Sequence, residues 1–187
     1  MSLEVVVSQG SYLFGACRIR PLPSKQRVTG SSPVGGILYM LHEHLSPGSF
    51  CTTSTPLAIV GVSDRDFGGA IYKTLKARGY FVVAVNPKRS TFDCDVCYPS
   101  LCDLPAEIKR AVVAVSPESA MMVVANAVAA RFTHLWFQQG KDFGAAIALA
   151  ENHGIVTVSR RCILMYTEPV DGIHRFHRFV ERVIGRY

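Results

Sequence analysis

The chain has 187 residues, of which 49% are hydrophobic, and its 20 lysines and arginines exceed its 14 aspartates and glutamates by a net charge of +6. This composition excludes wholesale disorder, and the length suits one domain of ordinary size with an appendage. No apolar run reaches the roughly 20 residues of a membrane-spanning helix, so we expect a soluble protein without a membrane partner.

The excess of positive charge favours either nucleic acid or a small ligand that carries phosphates. The sequence contains no basic run, no RGG tract and no aromatic strand pattern typical of an RNA-binding sheet. We therefore predict a phosphate-bearing small molecule as the partner and no binding of nucleic acid. Whether the chain forms a homo-oligomer is left open.

Residues 1–55 differ from the rest, because basic residues stand among many Ser, Pro and Gly and few acidic residues. Organellar transit peptides have such a composition, but Pro21, Pro23 and Pro33 interrupt the amphipathic helix that they need. We expect an N-terminal extension, a cytoplasmic protein, and a mitochondrial location as the alternative.

A βαβ unit is predicted over Pro56–Lys88. Leu57–Val60 is a short apolar run typical of a buried strand, Gly68–Arg78 carries its apolar residues on one helical face, and Phe81–Val85 is a second β-rich run. A strand, a helix and a strand within roughly 30 residues are typical of a parallel sheet.

The alternation of strands and helices continues beyond this unit. The later predictions are an edge strand over Val96–Tyr98, one helical turn over Leu104–Ile108, strands over Ala111–Val115, Thr133–Phe137 and Ile155–Ser159, and helices over Pro117–Ala130, Asp142–His153 and Gly172–Ile184. The pattern predicts an α/β domain over 56–187, a three-layer, Rossmann-like, doubly wound fold with a mainly parallel sheet. The arginines of the last helix suit a solvated face.

The turn after the first strand, Gly61–Gly69, contains three glycines but lacks the G-x-G-x-x-G spacing of dinucleotide-binding loops. Gly68 and Gly69 allow the backbone to approach a ligand, and the helix N-terminus offers N–H groups to phosphate. An ordinary strand–helix turn is the alternative interpretation.

The second strand ends in Asn86-Pro87-Lys88-Arg89. NAD-binding domains place an Asp or Glu there, which binds the ribose hydroxyls. Two cations in place of a carboxylate favour a phosphorylated ribose, which both NADP and coenzyme A (CoA) contain.

Five short motifs occur in order along the chain: Gly61–Asp64 (GVSD), Gly79–Pro87 (GYFVVAVNP), Tyr98–Leu101 (YPSL), Leu135–Gly140 (LWFQQG) and Arg161–Ile163 (RCI). In these motifs the chain resembles, over about Pro56–Glu168, the small single-domain CoA-binding proteins, which are related to the N-terminal domain of succinyl-CoA synthetase α subunits. The resemblance implies that CoA lies over the carboxyl edge of the sheet, where the parallel strands end.

The resemblance also implies the residues that line the site. They are Gly61, Val62, Ser63, Asp64, Phe67, Gly68, Asn86, Pro87, Lys88, Val115, Ser116, Pro117, Gln138, Gln139 and Gly140. We expect the helix N-terminus after Gly61 to hold the pyrophosphate and Lys88, with Arg89, to pair with the 3′-phosphate.

The chain departs from the family at Ser116-Pro117-Glu118, where many small members carry a segment like Phe-Arg-Arg. The active histidine of the ligase lies outside the domain that this chain resembles, so acyl-CoA synthesis is not implied. We expect a protein that binds CoA or acyl-CoA and has no identifiable catalytic group. The alternatives are an NADP-dependent oxidoreductase and a ligand-free interaction module.

Six cysteines are spread along the chain, unlike those of a small secreted disulfide scaffold, and no signal peptide precedes them. We therefore expect reduced thiols. Cys94, Cys97 and Cys102 have the spacing of part of a zinc site or of a redox pair, but no fourth ligand follows, so no metal is predicted. Cys162 is expected to be buried and unreactive, with a mixed disulfide to the CoA thiol as the alternative.

Overall fold

The computed structural model describes residues 50–169. Most of the predicted extension and the predicted helix over Gly172–Ile184 lie outside the described residues. The division between residues 55 and 56 stays a prediction. Phe50 and Cys51, which precede it, are buried in the core.

The strands and helices alternate along the described chain. In chain order they are β1 (Leu57–Val60), α1 (Phe67–Ala77), β2 (Val82–Val85), β3 (Thr91–Phe92), β4 (Asp95–Tyr98), β5 (Arg110–Val113), α2 (Pro117–Ala129), β6 (His134–Gln138), α3 (Gly144–Asn152) and β7 (Val156–Arg161). Short 3₁₀ turns follow β4 at Leu101–Asp103 and β7 at Ile163–Met165.

The seven strands form one sheet in the order β3-β4-β2-β1-β5-β6-β7. All neighbours pair in parallel except β3, which is antiparallel to β4. From β1 the chain first proceeds to β2 on one side and later returns to β5 on the other side. The predicted doubly wound, mainly parallel sheet is therefore confirmed, and its direction of winding switches between β1 and β5.

Two apolar layers cover the sheet, which explains why the central strands are apolar on both faces. On one face Ile71 and Leu75 of α1 pack with Ile163 and neighbouring residues after β7. On the other face Val124 of α2 and Ala150 of α3 pack against the sheet. Within the described range, no helix has the length and hydrophobicity needed to cross a membrane.

Two local predictions are wrong. The helical turn expected over Leu104–Ile108 is a simple turn, in which Ile108 N donates to Pro105 O at 3.1 Å. The 3₁₀ turn begins earlier because Ser100 Oγ accepts a hydrogen bond from Cys102 N at 3.0 Å. The strand expected at the edge, β4, pairs on both sides, because the two-residue strand β3 lies outside it.

Candidate functional site

The loop after β1 contacts the segment after β5 at the point where the winding of the sheet switches. Gly61 has a φ of +92°, and a Cβ atom at this position would lie 2.8 Å from both Ala114 O and Val115 Cγ1. A side chain would therefore separate the two loops, which explains the glycine. In doubly wound sheets, ligands bind in the crevice at this switch point.

Gly68 and Gly69 bring the N-terminus of α1 against the same loop. A Cβ on Gly68 would lie 2.4 Å from Gly61 O, and one on Gly69 would lie 1.8 Å from Ser63 O. The protein's own backbone fills the space that a side chain would occupy. The two glycines thus allow the helix to pack on the loop, and their close approach to a ligand stays a prediction.

The N-terminus of α1 is not capped by the side chain at its N-cap position. Asp66 holds this position but makes no side-chain hydrogen bond to the helix. Its Oδ2 instead accepts from Ser63 Oγ at 2.6 Å, and its backbone N donates to the same hydroxyl at 3.0 Å. The side chain of Asp66 therefore does not cap the first turn, in which Gly69 N donates to the backbone oxygen of Asp66 at 3.1 Å. The N–H groups at the start of a helix attract phosphate.

Asn86 connects the carboxyl ends of the three neighbouring strands β1, β2 and β4. Its Nδ2 donates to Val62 O at 2.7 Å, its Oδ1 accepts from Lys88 N at 2.9 Å, and its backbone N donates to Tyr98 O at 2.9 Å. The amide side chain therefore holds the loop after β1 beside the segment that carries Lys88. Pro87 and Lys88 are exposed at this edge.

Asp64 accepts hydrogen bonds from two cations above an aromatic ring. Its Oδ2 lies 2.9 Å from Arg89 Nη1, and its Oδ1 lies 3.5 Å from Lys73 Nζ. The Phe92 ring centroid lies 5.8 Å from the guanidinium of Arg89 and 5.3 Å from Lys73 Nζ. The hydrogen bond from Arg89 is the main cause of a pKa of Asp64 below its ordinary value of 3.8.

Asp64 and Lys73 also line a groove of about 370 Å³ at the start of α1, here called the phosphate groove. Its lining residues are Ser63, Asp64, Arg65, Asp66, Phe67, Gly69, Ala70 and Lys73. Phe67 is half-exposed there, at 49%. Four of these residues were not predicted from the sequence: Arg65, Asp66, Ala70 and Lys73. Arg65 and Asp66 lie inside the glycine-bearing loop Gly61–Gly69, and this position in the sequence was a reason to include them.

The second half of the predicted site lies after β5 and β6. Ser116 is the N-cap of α2, as predicted, and its Oγ accepts from Ser119 N at 3.4 Å. Lys141 Nζ donates to Val115 O at 3.1 Å and so joins the two loops. Lys141 was missed, although it follows the LWFQQG motif directly. It places a cation beside the segment after β5.

Gln138, which is predicted to border the ligand, has a buried side chain. Its side chain is only 5% exposed, and its Oε1 accepts from Ile163 N at 3.2 Å. Its buried Nε2 has no hydrogen-bond partner among residues 50–169. The neighbouring Gln139 and Gly140 are exposed. Gln138 therefore positions the 3₁₀ turn after β7, whereas Gln139 and Gly140 lie at the surface.

The cysteines do not assemble into a metal site in the described part of the chain, where no cluster of three or more His, Cys, Asp or Glu could hold an ion. Cys94 is exposed, Cys97 is buried, and Cys102 is intermediate. Burial raises the pKa of Cys97 above its ordinary value of 9.0. Cys162 is buried at 2% exposure, as expected.

Residues 56–168, more than half of the chain, match the model of a protein family described as the CoA binding domain. The chain belongs to this family. The match confirms the resemblance that the five motifs indicated, and it supports CoA as the class of ligand for this CoA-binding domain.

Solved structures show the same fold as this CoA-binding domain. A conserved hypothetical protein from Pyrococcus furiosus is 32% identical, with a TM-score of 0.56 over 58% of this chain and 96% of that chain. A hypothetical protein from Pyrococcus horikoshii OT3 is 24% identical, with a TM-score of 0.58 over 78% of this chain and 100% of that chain.

A larger enzyme also contains a similar unit. It is the dinucleotide-forming acetyl-coenzyme A synthetase 1 of Ca. Korarchaeum cryptofilum in complex with phosphate and ADP, which is 19% identical with a TM-score of 0.52. The similarity covers 57% of this chain and 25% of that chain. At this identity the comparison shows the fold alone.

Proposed function

We propose that this chain binds CoA, free or acylated, across the carboxyl edge of the sheet, and that it acts as a binding or carrier protein. One observation carries the proposal: the loops after β1, β2 and β5 meet at the switch point of the sheet. Gly61 packs against Ala114, and Asn86 donates to Val62 O at 2.7 Å. These contacts form a rigid frame at the edge where α/β sheets bind ligands.

The N-terminus of α1 is the proposed site of the pyrophosphate. The helix spans Phe67–Ala77, and its N-cap side chain bonds to Ser63 instead of to the helix N–H groups. Anions are favoured at such a terminus because the N–H groups and the helix dipole both attract negative charge. Arg65 lines the same groove and adds positive charge, whereas Lys73, which also lines it, is paired with Asp64 at 3.5 Å.

Lys88 and Arg89 are the proposed partners of the 3′-phosphate. Lys88 is exposed and forms no ion pair with any residue in the described range. Arg89 lies at the same edge, 2.9 Å from Asp64. A guanidinium binds phosphate oxygens through two parallel hydrogen bonds, whereas the ammonium of a lysine acts as a point charge. Together they favour a phosphorylated ribose over a free diol.

The remaining part of the ligand is proposed to lie along the loops after β5 and β6. Val115, Ser116 and Pro117 form one border, and the exposed Gln139 and Gly140 form the other. Lys141, whose ammonium lies 3.1 Å from Val115 O, supplies positive charge between the two loops.

For the phosphate groove we propose binding without catalysis. Ser63 is the one hydroxyl residue among those that line the groove, and it donates to Asp66 at 2.6 Å. No histidine or cysteine lines the groove in the described range. A serine nucleophile requires a base that accepts its proton and is itself oriented by a third group.

NADP is the competing ligand, because its 2′-phosphate would also favour Lys88 and Arg89. A thermal-shift panel of the full chain with CoA, acetyl-CoA, NADPH and NAD separates the two. At a ligand concentration about 100-fold above Kd, binding contributes roughly 2.7 kcal/mol. For a chain of this size, that corresponds to a rise in melting temperature of roughly 5–10 °C.

We expect stabilisation by CoA and acetyl-CoA and none by NADPH or NAD. Stabilisation by NADPH alone would contradict the proposal and favour an oxidoreductase. No shift with any of the four would favour the interaction module, for which the basic segment over Gly172–Ile184, outside the described residues, is the candidate surface.

A further inference from the structure

We infer that Asp64 occupies the position of the ligand's 3′-phosphate in the free protein and thereby determines how strongly the site selects for that phosphate. The inference rests on the proposed function, because it concerns the same site. It assigns to Asp64 the role of a specificity-determining residue that competes with the ligand. The alternative role for Asp64 is a direct contact with the bound ligand, which would strengthen binding instead of competing with it.

The geometry around Asp64 is that of an anion site occupied by a carboxylate. One oxygen lies 2.9 Å from Arg89 Nη1, and the other lies 3.5 Å from Lys73 Nζ. A phosphate uses the same donors, since guanidinium and ammonium groups bind carboxylates and phosphates alike. The lowered pKa of Asp64 shows that its charged form is favoured in this position.

The two cations are held in place by more than Asp64. Arg89 and Lys73 both lie over the ring of Phe92, at 5.8 and 5.3 Å from its centroid. Phe92 is buried at 3% exposure and is packed edge-on against Tyr72, with 5.4 Å between ring centroids. The cations therefore stay near their present positions when Asp64 is displaced, and the site is preorganised for another anion.

Asp64 itself is weakly held and free to leave. Its side chain is 59% exposed, and its oxygens accept hydrogen bonds from Arg89 and Lys73 alone among the described residues. Exposed ion pairs contribute little to stability because water and salt screen them. A phosphate carries more charge than a carboxylate and has more acceptor oxygens, so it competes well for the same cations.

The test compares CoA with 3′-dephospho-CoA, which differs only in the phosphate concerned. Isothermal titration calorimetry on the full chain measures both ligands with the wild type, with Asp64→Asn and with Glu107→Gln. The last variant is a matched control, because Glu107 is exposed in the turn before β5, at the opposite edge of the sheet. It removes the same charge at a distance from the site.

We expect Asp64→Asn to bind CoA about two- to tenfold more tightly than the wild type, as follows from removing weak exposed ion pairs. Its affinity for 3′-dephospho-CoA should stay within about twofold of the wild type, and Glu107→Gln should do so for both ligands. In a background of Arg89→Gln, the same Asp64→Asn change should give a smaller gain for CoA, because one of the two released cations is absent.

An unchanged or weaker affinity of Asp64→Asn for CoA would overturn the inference, and a weaker one would indicate that Asp64 contacts the ligand. An equal gain for both ligands would also overturn it, because Asp64 would then compete with another phosphate. These outcomes leave CoA binding by the wild type intact. A wild type that binds neither ligand would instead contradict the proposed function.

Discussion

Single residues at the start of α1 determine how closely the helix approaches the loop after β1. Gly69 is the extreme case, since a Cβ there would lie 1.8 Å from Ser63 O and 2.8 Å from Ser63 C. Both atoms belong to the backbone and cannot move aside as a flexible side chain does. The contact therefore couples the stability of the helix to the shape of the phosphate groove.

We predict that Gly69→Ala lowers the free energy of unfolding by about 1–3 kcal/mol, as overpacking does. It should also weaken CoA binding, because the helix N-terminus must move away from the loop. Denaturant unfolding and calorimetry measure the two effects. Gly144→Ala is the control, since its Cβ would meet only the Asp142 side chain, at 3.3 Å. Equal stability of Gly69→Ala and the wild type would contradict the packing argument.

Lys88 carries a second residue-scale prediction. We expect Lys88→Glu to weaken CoA binding about tenfold at low ionic strength, and less as salt is added, because salt screens exposed charges. Arg131→Glu is a control with the same charge change, placed in the exposed turn between α2 and β6. Calorimetry at two salt concentrations measures the effect. An unchanged affinity would remove Lys88 from the site.

At the scale of elements, the hairpin of β3 and β4 is fastened to α1. Tyr72 Oη donates to Asp95 Oδ2 at 2.6 Å, and Lys76 Nζ pairs with Asp95 and with Asp93 at 3.1 Å. The hydrogen bond from Lys76 is the main cause of a lowered pKa of Asp95. These contacts hold Phe92, over which Lys73 and Arg89 lie, against the helix.

We predict that Tyr72→Phe lowers the free energy of unfolding by about 1 kcal/mol, the usual contribution of one hydrogen bond, while the aromatic packing is kept. Tyr98→Phe is the matched control, because the hydroxyl of Tyr98 makes no hydrogen bond to another described residue. Urea denaturation measures both variants. Equal stability of the two would show that the Tyr72 hydroxyl contributes nothing to the attachment of the hairpin.

At the scale of the whole molecule, residues distant in the chain meet beside the neighbouring strands β5 and β6. Phe50 packs edge-on against Trp136, with 5.3 Å between ring centroids, and its carbonyl oxygen accepts from Arg110 Nη1 at 2.8 Å. His134 lies in the same place, 6.3 Å from the Phe50 ring centroid. Burial, and secondly the charge of Arg110, lower the pKa of His134 below its ordinary value of 6.5.

This shift predicts a dependence of stability on pH. The unfolded chain takes up a proton on His134 as the pH falls through 6.5, whereas the folded chain resists it until a lower pH. The contribution of neutral His134 to the free energy of unfolding is thus fully present above pH 6.5, and it is lost as the pH falls below 6.5 toward the lower pKa of the folded state. Thermal melts between about pH 7.5 and pH 5 should show a smaller loss for His134→Gln than for the wild type. Equal losses would contradict this.

Much of the fold was predictable from local patterns in the sequence. The apolar runs of β1, β2, β5, β6 and β7 and the periodicity of α1 and α2 predicted these elements to within a few residues, because burial on both sides of a parallel sheet dictates them. Lys88 and Arg89, which follow β2, also predicted a phosphorylated ligand without knowledge of the packing. Side chains at the ends of parallel strands meet at one edge whatever the details of packing.

Contacts between distant residues were not predictable in this way. The pairing of Asp64 with Arg89, the bond from Lys141 to Val115 O and the burial of Gln138 depend on the order of the strands, which no local pattern encodes. β3 was missed because two residues carry no periodicity. The glycines of the first loop were expected to approach a ligand, and in the structure the backbone of Ser63 and Gly61 fills the space beside Gly69 and Gly68. The sequence alone predicted the edge of the sheet and the charge of the proposed site, because both follow from the residues at the strand ends. Which of those charges are paired was determined by the tertiary structure, because the pairs join residues from different loops.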